Sequence, residues 1–362
     1  MTAGVLSDGP GGGRHSCDFC DVISVGNLFD AWREFCRGKR SGREVAAFEL
    51  RLEDNIFRLR EELLAGIWKP VPYVVSLIQD PKLRTIHIAD VRDRVLYQAV
   101  YRKLYDVFDP SFIHDVYSSR DRKGTHAGVK RFEEFAGKVS QNHTRSAFVL
   151  KCDIKKFFDS INHAVLLDLI SRKISGRRLL GLIHVIVGSF HHSPGKGLPL
   201  GNVTSQLFAN IYMNELDQFV KHKLKAKYYI RYCDDFVILD ADRTVLEKSI
   251  DAIRVFLSKE LTLDLHPRKV EIRKIRQGTD FLGYVSLPHY LVLRTKTKKR
   301  MFKKIRDAKK LRDAGQLSDS QSKQILASYM GMLSHCKSRK IAALLSSRGN
   351  KKLPRLRAEA GY

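Results

Sequence analysis

The sequence predicts an α+β fold, and three observations support this class. Two apolar runs, residues 228–230 and 236–239, flank the tetrad Tyr232-Cys233-Asp234-Asp235, a pattern typical of two antiparallel strands joined by a tight turn. A further short apolar strand, residues 148–153, also ends in an acid. Elsewhere apolar residues recur at helical spacing, so helices and strands are expected to occupy separate stretches of the chain.

The first third of the chain predicts two helices and one strand. Apolar residues share one face over residues 41–66, which indicates a helix. Residues 82–88 alternate as an amphipathic strand does, and residues 93–107 follow as a second helix. Residues 1–26 lack such periodicity, and we expect a flexible N-terminal segment there.

The middle of the chain starts with Gly124-Thr125, which looks like a helix start with a threonine cap. Free backbone N–H groups at this point would suit a phosphate, while a plain capped surface helix fits equally well. Residues 163–171 predict a helix after the strand at 148–153. A turn-rich loop at 191–202 then precedes a long amphipathic helix.

The C-terminal part is predicted to turn helical and strongly basic beyond Phe281-Leu282-Gly283-Tyr284. Residues 294–312 hold eleven lysines and arginines against one acid. The whole chain of 362 residues carries a formal charge of +26, far more than solubility requires. This excess indicates a polyanionic partner, and nucleic acid is the leading candidate.

The sequence contains no clear signal for a membrane span, for secretion or for disulfide bonds. No apolar run approaches the length of a membrane span, and the N-terminus lacks a secretory pattern, so we expect a cytoplasmic protein without a membrane partner. Six scattered cysteines do not form a disulfide framework. Cys17-x-x-Cys20 faintly resembles half of a zinc site, but a second ligand pair is missing, and cysteines in a loose leader are the simpler interpretation.

Carboxylates from separate segments indicate a divalent-metal site. Asp153 ends one strand and Asp234 lies at a hairpin tip, so the two can meet if the strands are neighbours. Successive strand side chains point to opposite faces. We therefore predict Asp153 and Asp234 as direct metal ligands, with Asp235 supporting and the carbonyl of Ile154 as a further ligand.

The order of these motifs resembles the palm of reverse transcriptases. The resemblance covers residues 27 to about 335, and the matching segments occur in the family's order: 84–94, 120–125, the Asp153 segment, 198–206, 232–235, Lys269 and 281–283. It implies a right-hand polymerase with fingers (27–147), a palm with an antiparallel sheet (148–292) and a basic helical thumb with a tail (293–362). It also implies Mg²⁺ as the cofactor, as two ions that Mn²⁺ could replace, with Asp153, Asp234 and Asp235 as the catalytic residues.

The same resemblance implies residues that bind the incoming deoxynucleoside triphosphate. Lys82 and Arg84 match positions that grip the triphosphate, as their charges suit. Phe158 matches the steric gate against a 2′-hydroxyl, although plain core packing is the alternative. Lys269 matches a lysine that protonates the departing pyrophosphate, and a surface lysine is nearly as good an interpretation.

Contacts with primer and template are implied in the same way. Tyr232 would lie along the primer terminus, and Phe281, Leu282 and Gly283 resemble the primer grip. The basic C-terminal helices would follow the template–primer backbone. Their first cations are Arg294, Lys298 and Lys299.

One loop departs from most of the family. Where Gln-Gly-x-x-x-Ser-Pro is usual, this chain reads Leu200-Gly201 and continues to Ser205-Gln206. The variant resembles reverse transcriptases of diversity-generating retroelements, which copy a template-repeat RNA with errors at adenines. A leucine packs where a glutamine would hydrogen-bond the nucleotide, and losing about 1 kcal/mol of discrimination costs several-fold in fidelity.

This resemblance also implies partners, namely a structured template RNA, a cDNA or RNA primer and a small basic accessory variability protein that forms a pentameric ring. Two alternatives stay open. One is a defence-associated or retron-like reverse transcriptase, which the Leu200 loop disfavours. The other is a catalytically silent RNA-binding scaffold, which the three intact aspartates disfavour.

Overall fold

The structure of the protein is a computed structural model, and it describes residues 18–79 and 83–346. The helices are α1 Phe19–Val22, α2 Val25–Phe35, α3 Arg43–Glu49, α4 Leu52–Leu64, α5 Val91–Phe108, α6 Thr125–Val139, α7 Phe157–Ser160, α8 His163–Ser171, α9 Arg177–Gly188, α10 Val203–Gln218, α11 Arg243–Leu261, α12 Thr295–Asp313, α13 Asp319–Ser334 and α14 Arg339–Ser346. The strands are β1 Val74–Gln79, β2 Leu83–Ile88, β3 Phe148–Asp153, β4 Tyr228–Tyr232, β5 Asp235–Asp240, β6 Glu271–Lys274, β7 Thr279–Phe281, β8 Tyr284–Leu287 and β9 Tyr290–Leu293. The mixture of helices and antiparallel sheets confirms the predicted α+β class.

The chain divides into two compact units that are each discontinuous in sequence. Within the described residues, the first unit combines residues 18–79, 83–114, 154–219 and 253–265, and the second combines residues 115–153, 220–252 and 266–346. These units do not correspond to the predicted fingers, palm and thumb, and that three-part division stays a prediction.

The first unit is built mainly from helices. Helix α5 packs against α2 and α10, so the apolar faces of the three helices share one core. Trp32, Tyr97 and Tyr212 are fully buried there. The antiparallel hairpin β1–β2 belongs to the same unit, with Val74 opposite Ile88.

The second unit contains two antiparallel sheets. The larger has the strand order β4-β5-β3-β6, so β3 and β5 are its central strands. Val149, Leu150 and Val237 on these strands are almost fully buried, because the central strands carry apolar side chains on both faces. The smaller sheet, β7-β8-β9, shares an apolar cluster with helices α12–α14.

Several predicted elements are confirmed by the structure. These are the strand Phe148–Asp153, the helix His163–Ser171, the hairpin around residues 232–235, the strand ending at Ile88 and the long helices α5 and α10. Among the described helices, none combines the length and the apolar character that crossing a membrane requires.

Other predictions need correction. The single helix over 41–66 is two helices, because the chain breaks at Leu50–Arg51 between α3 and α4. Helix α6 does begin where predicted, but its N-cap is Gly124 and Thr125 is not the cap. The segment beyond Tyr284 first forms β8 and β9 and becomes helical only at Thr295.

The flexible N-terminal segment predicted for residues 1–26 is also wrong for residues 19–26. Asp18 caps helix α1, and the buried Phe19 and Val22 attach this helix to the core. Residues 1–17, which include Cys17, lie outside the described residues. Cys20 is an exposed free thiol.

The central strand β3 provides a direct test of this core. Leu150→Ala removes a fully buried side chain and leaves a cavity, so we expect the free energy of unfolding to fall by about 2–5 kcal/mol. Urea denaturation followed by far-UV circular dichroism measures the change, because the helices and strands of both units contribute to that signal. The control Val255→Ala truncates a half-exposed side chain on α11 and should cost much less; equal losses would contradict the proposed core.

Candidate active site

The tip of the β4–β5 hairpin is a two-residue turn. Tyr232 pairs with Asp235, which leaves Cys233 and Asp234 as the turn residues. Cys233 has a φ of 57°, a left-handed conformation that few non-glycine residues adopt. Its backbone N–H donates to Ser118 Oγ at 2.8 Å, and this hydrogen bond helps to hold the unusual turn in place.

A buried arginine secures the same tip from inside the protein. Arg231 is fully buried, and its Nη1 donates to the carbonyl of Cys233 at 3.0 Å. The backbone of Arg231 bonds to the neighbouring segment on both sides: its N–H donates to the Asp115 carbonyl at 3.0 Å, and its carbonyl accepts from the Tyr117 N–H at 2.9 Å. Residues 115–118 therefore fix where the turn projects.

The register of the central strands brings the acids together. Asp153, the last residue of β3, lies directly opposite Asp235, the first residue of β5. Side chains of directly opposed residues point to the same face of a sheet, so these two carboxylates are neighbours. Asp234 lies in the turn beside them, where its charge interacts with that of Asp153. The prediction that Asp153 and Asp234 bind the metal directly, with Asp235 supporting them, stays a prediction.

The pKa values of Asp234 and Asp235 show that their burial beside Asp153 disfavours the ionised carboxylates. Burial and, after it, the charge of Asp153 raise the pKa of Asp234 above its ordinary value. Burial raises the pKa of Asp235 to about 6; the charge of Lys151 opposes this rise, while Asp234 and Asp153 add to it. The cluster thus carries more negative charge than its surroundings neutralise.

Two lysines partly compensate this charge. Lys269 Nζ lies 2.7 Å from Asp153 Oδ2, and the loop that carries Lys269 is attached to the strand because the His266 N–H donates to the Asp153 carbonyl at 2.8 Å. Lys151, two residues before Asp153, donates to the Asp280 carbonyl at 2.9 Å. Sequence reasoning missed Lys151, although its i−2 spacing in a strand already places it on the same face as Asp153.

The donor chemistry of this cluster fits a divalent cation. Carboxylate oxygens are the ligands that Mg²⁺ and Mn²⁺ prefer, and the raised pKa values mean that a nearby cation would relieve repulsion. Within the described residues, however, no group of three or more His, Cys, Asp or Glu side chains is already arranged to hold a metal ion.

The predicted primer-grip residues form a second tight turn in the same unit. Leu282 and Gly283 connect β7 to β8 with φ values of 50° and 91°, as a two-residue hairpin turn requires. Phe281 is buried against Phe132, with 5.6 Å between the ring centroids, so it supports the turn from inside. Tyr232 is half-buried, and its hydroxyl lies 3.4 Å from Thr125 Oγ1.

The first cations of the predicted thumb lie at the start of α12. Arg294 forms an ion pair with Asp280, and its N–H donates to the Gly283 carbonyl at 3.1 Å, which attaches the helix to the second tight turn. Lys298 is half-buried and Lys299 is exposed. Contacts of these cations with nucleic acid stay a prediction.

The remaining predicted site residues that the structure describes, which are nucleotide-site residues and the predicted metal ligand Ile154, belong to the first unit. Arg84 is exposed on β2, and Phe158 is half-buried with its ring centroid 5.3 Å from that of Phe157. The Leu200 carbonyl accepts from the His87 N–H at 2.9 Å. Ile154 is buried in this unit and bridges to Leu265. The roles of all four stay predictions, and Lys82 lies outside the described residues.

Gly201 is required by its surroundings in the first unit. Its φ is 117°, and a Cβ at this position would lie 2.8 Å from Ile86 Cγ2. A side chain would therefore be strained and would collide with β2. This close approach explains the glycine beside Leu200 without reference to any ligand.

Comparison with known proteins shows which family these motifs characterise. The family model described as reverse transcriptase (RNA-dependent DNA polymerase) matches residues 78–286, more than half of the chain. Together with the helices and antiparallel sheets, this match confirms the predicted right-hand polymerase fold class. It covers all three aspartates and Lys269.

Individual relatives are more distant. Protein YkfC of Escherichia coli is 26% identical over 286 residues, covering 67% of this chain and 74% of YkfC. The group II intron-encoded protein LtrA of Lactococcus lactis is 24% identical over 304 residues, and the match covers 64% of this chain. This chain spans about half the length of LtrA (49%).

Among solved structures, apo telomerase from Candida tropicalis matches with a TM-score of 0.46 and 13% identity, covering 66% of this chain and 60% of the telomerase chain. Telomerase from Candida albicans matches with a TM-score of 0.44 and 12% identity, covering 74% and 56% of the two chains.

The raised pKa of Asp235 predicts that this residue destabilises the metal-free protein. An unfolded aspartate titrates near pH 4, so between about pH 4 and 6 the folded protein binds more protons and its stability falls as the pH rises. Asp235→Asn should therefore increase the free energy of unfolding by roughly 1–3 kcal/mol at pH 7. The gain should shrink towards pH 4, where the wild-type carboxyl is protonated.

Urea denaturation in a chelator-containing buffer at a series of pH values tests this expectation. The exposed Asp54 on α4 offers a matched control, since Asp54→Asn removes the same charge away from the cluster. A gain that does not depend on pH, or a loss of stability at pH 7, would contradict the electrostatic explanation.

Proposed function

The chain belongs to the reverse transcriptase (RNA-dependent DNA polymerase) family, and from this premise we propose that it extends a primer with deoxynucleotides on an RNA template. The observation that carries this proposal is the register of the central sheet, in which Asp153 lies opposite Asp235 with Asp234 in the adjoining turn. These carboxylates are desolvated at a hairpin tip, where a purely structural acid would gain nothing from burial.

In the proposed reaction, Asp153, Asp234 and Asp235 hold the divalent ions. The bound ions, Mg²⁺ with Mn²⁺ as a substitute, supply Lewis-acid stabilisation of the transferring phosphoryl group. Lys269 is proposed as the proton donor to the departing pyrophosphate, because its ammonium already lies at the carboxylate cluster. Lys151 supports Asp235, since its charge favours the ionised carboxylate.

The triphosphate and the sugar are assigned to residues of the first unit. Arg84 and Lys82 bind the triphosphate in this proposal, and the exposure of Arg84 leaves its guanidinium available. Phe158 selects against a 2′-hydroxyl, for which its incompletely buried ring is suited. Template and primer follow Tyr232, the turn at 281–283 and the basic helix α12, whose cations match a phosphate backbone.

A finer assignment rests on the Leu200 loop. We propose an error-prone enzyme of the diversity-generating type, which would make mutagenised cDNA from a template-repeat RNA together with a basic pentameric accessory protein. The support is chemical: Leu200 has an apolar side chain where the family's glutamine could hydrogen-bond a nucleotide, so one discriminating contact is missing.

The likeness to LtrA favours a second candidate, an intron-encoded reverse transcriptase. A retron-like or defence-associated enzyme is the remaining alternative. The DNA that flanks the gene separates these possibilities: a pair of repeats that differ at adenines would identify the diversity-generating type, whereas intron sequence would identify the second candidate.

Polymerase activity is tested by primer extension on an RNA template with Mg²⁺. We expect incorporation of deoxynucleotides by the wild type and a loss of more than about a hundredfold in Asp234→Asn, because a metal-bound carboxylate contributes several kcal/mol to the transition state. Asp54→Asn serves as the charge-matched control and should stay active. An Asp234→Asn protein with wild-type incorporation would refute the proposed site.

The Leu200 hypothesis has its own measurement. Leu200→Gln restores the usual side chain, so we expect misincorporation opposite template adenine to fall several-fold, as one hydrogen bond of about 1 kcal/mol would provide. Single-nucleotide extension opposite each template base measures the ratio. Leu200→Met keeps an apolar side chain of similar volume and should leave the error rate unchanged; an unchanged rate in Leu200→Gln would refute the hypothesis.

A further inference from the structure

A small basic pocket lies at the end of β3 remote from Asp153. The pocket is lined by three cationic residues, Arg145, Lys274 and Arg276. Ser146, which has a hydroxyl, and His143, which has an imidazole, also line it. The cavity has a volume of about 90 Å³, enough for a few water molecules or for one tetrahedral oxyanion of similar size. We call these five residues the distal basic pocket.

The fold builds this pocket from one edge of the large sheet. Phe148, the first residue of β3, pairs with Lys274, the last residue of β6. The Ile275 N–H then donates to the Ala147 carbonyl at 2.9 Å, so the two chain segments stay together beyond the strands. The pocket is therefore attached to the same strand that carries Asp153 at its other end.

The loop that forms the pocket wall has a strained backbone. Gln141, Asn142 and His143 have φ values of 51°, 55° and 66°, so three consecutive non-glycine residues are left-handed. Such conformations are costly and concentrate at functional sites. The loop is held by Ser140, whose Oγ accepts from the His143 N–H at 3.0 Å.

The charge of the pocket is not neutralised within the described chain. None of the residues that line it is acidic, and Arg145, Lys274 and Arg276 form no ion pair with a described carboxylate. By contrast Arg273, the neighbour of Lys274 on β6, pairs with Glu271 at 2.9 Å. Three cations therefore line one pocket that has no acidic residue in its lining, so an anion bound there would be attracted by positive charge.

His143 adds no positive charge to the pocket at neutral pH, so the charge of the pocket comes from the three cations alone. Burial, and after it the nearby His289, lower the pKa of His143. The two imidazole rings lie 5.4 Å apart, edge to face. His143 therefore contributes a neutral hydrogen-bonding group to the pocket.

We propose that the distal basic pocket binds a phosphate group, and that this group belongs to the backbone of the RNA that the protein holds. Two guanidinium groups present paired donors that match phosphate oxygens, and Ser146 offers a hydroxyl. The assignment of RNA as the source rests on the proposed function. It fits the charge of +26, which a single small anion would not require.

The position of the pocket separates it from the chemistry. Five residue steps along β3 lie between Phe148 and Asp153, which corresponds to roughly 17 Å at the usual rise of a strand. A phosphate bound there is not the reacting one. The pocket would hold a part of the RNA outside the template–primer duplex, and short template–primer substrates would not need it.

The test compares the loss of positive charge inside the pocket with the loss of positive charge just outside it, and each effect is expressed per charge removed. The double variant Arg145→Gln/Arg276→Gln removes the two guanidinium groups of the pocket, both of which are exposed, while Arg273→Gln removes one exposed arginine of β6 outside the pocket. Binding of a fluorescent RNA stem–loop is measured without nucleotides over a series of KCl concentrations. We expect the double variant to bind about tenfold more weakly and to lose about 1 from the slope of log affinity against log salt, while Arg273→Gln changes little.

A second arm identifies the source of the phosphate. Inorganic phosphate is titrated into each protein at constant ionic strength and followed by calorimetry. If the double variant no longer binds inorganic phosphate but still binds RNA as tightly as the wild type, the pocket is a phosphate site and RNA is not the source of the phosphate. Equal weakening per charge removed in the double variant and in Arg273→Gln, or no effect in either arm, would refute the pocket altogether.

Two controls keep this result separate from other failures. The variant Arg145→Lys/Arg276→Lys retains the charge and should recover most of the salt slope, and thermal unfolding shows whether every variant is folded. Primer extension on a short template–primer should proceed at the wild-type rate in the double variant. If the proposed polymerase activity is wrong, the wild type will not extend the primer in that assay. If the proposed pocket is wrong, only the binding measurements will show it.

Discussion

Repulsion between neighbouring carboxylates is the constraint on which the rest of the second unit depends. The antiparallel register places Asp153 opposite Asp235, and the turn adds Asp234 beside them, all poorly solvated. Left alone, such a cluster would favour strands that move apart. Lys269 and Lys151 reduce the repulsion, and the incomplete compensation leaves a site that favours cations.

The turn that presents these acids is kept in place by groups that take no part in the proposed chemistry. Cys233 tolerates a left-handed φ because Ser118 bonds its N–H and the buried Arg231 bonds its carbonyl. Burying a guanidinium group costs free energy unless its N–H groups form hydrogen bonds. The hydrogen bond from Arg231 to the Cys233 carbonyl therefore favours a single conformation of the turn. Precision at the hairpin tip thus originates in residues 115–118 and in strand β4.

Strand β3 connects a site that favours cations with a proposed site that favours an anion. One end carries desolvated carboxylates and is suited to cations, while the other end leads into the distal basic pocket, which is suited to an anion. Six residues of a central, buried strand make a rigid connection between them. A polymerase that must hold its RNA while it moves along the template would benefit from a fixed spacing of this kind.

The sequence by itself determined the local elements and the identity of the acids, because strand alternation, apolar flanks and turn residues are local signals. It predicted β3, α8 and the β4–β5 hairpin, and it singled out the three aspartates, while Lys269 was singled out only through the family resemblance. Only the tertiary structure decided the register that opposes Asp153 to Asp235 and the hydrogen bonds with Arg231 and Ser118 that hold the turn. It also decided that Arg145 and Arg276 line the same pocket. These depend on contacts between residues far apart in the chain, which periodicity does not record. The strands β8 and β9 were missed although their signal is local, since two short apolar runs flank Pro288-His289. The break between α3 and α4 interrupts an apolar pattern that continues through Leu50 and Leu52.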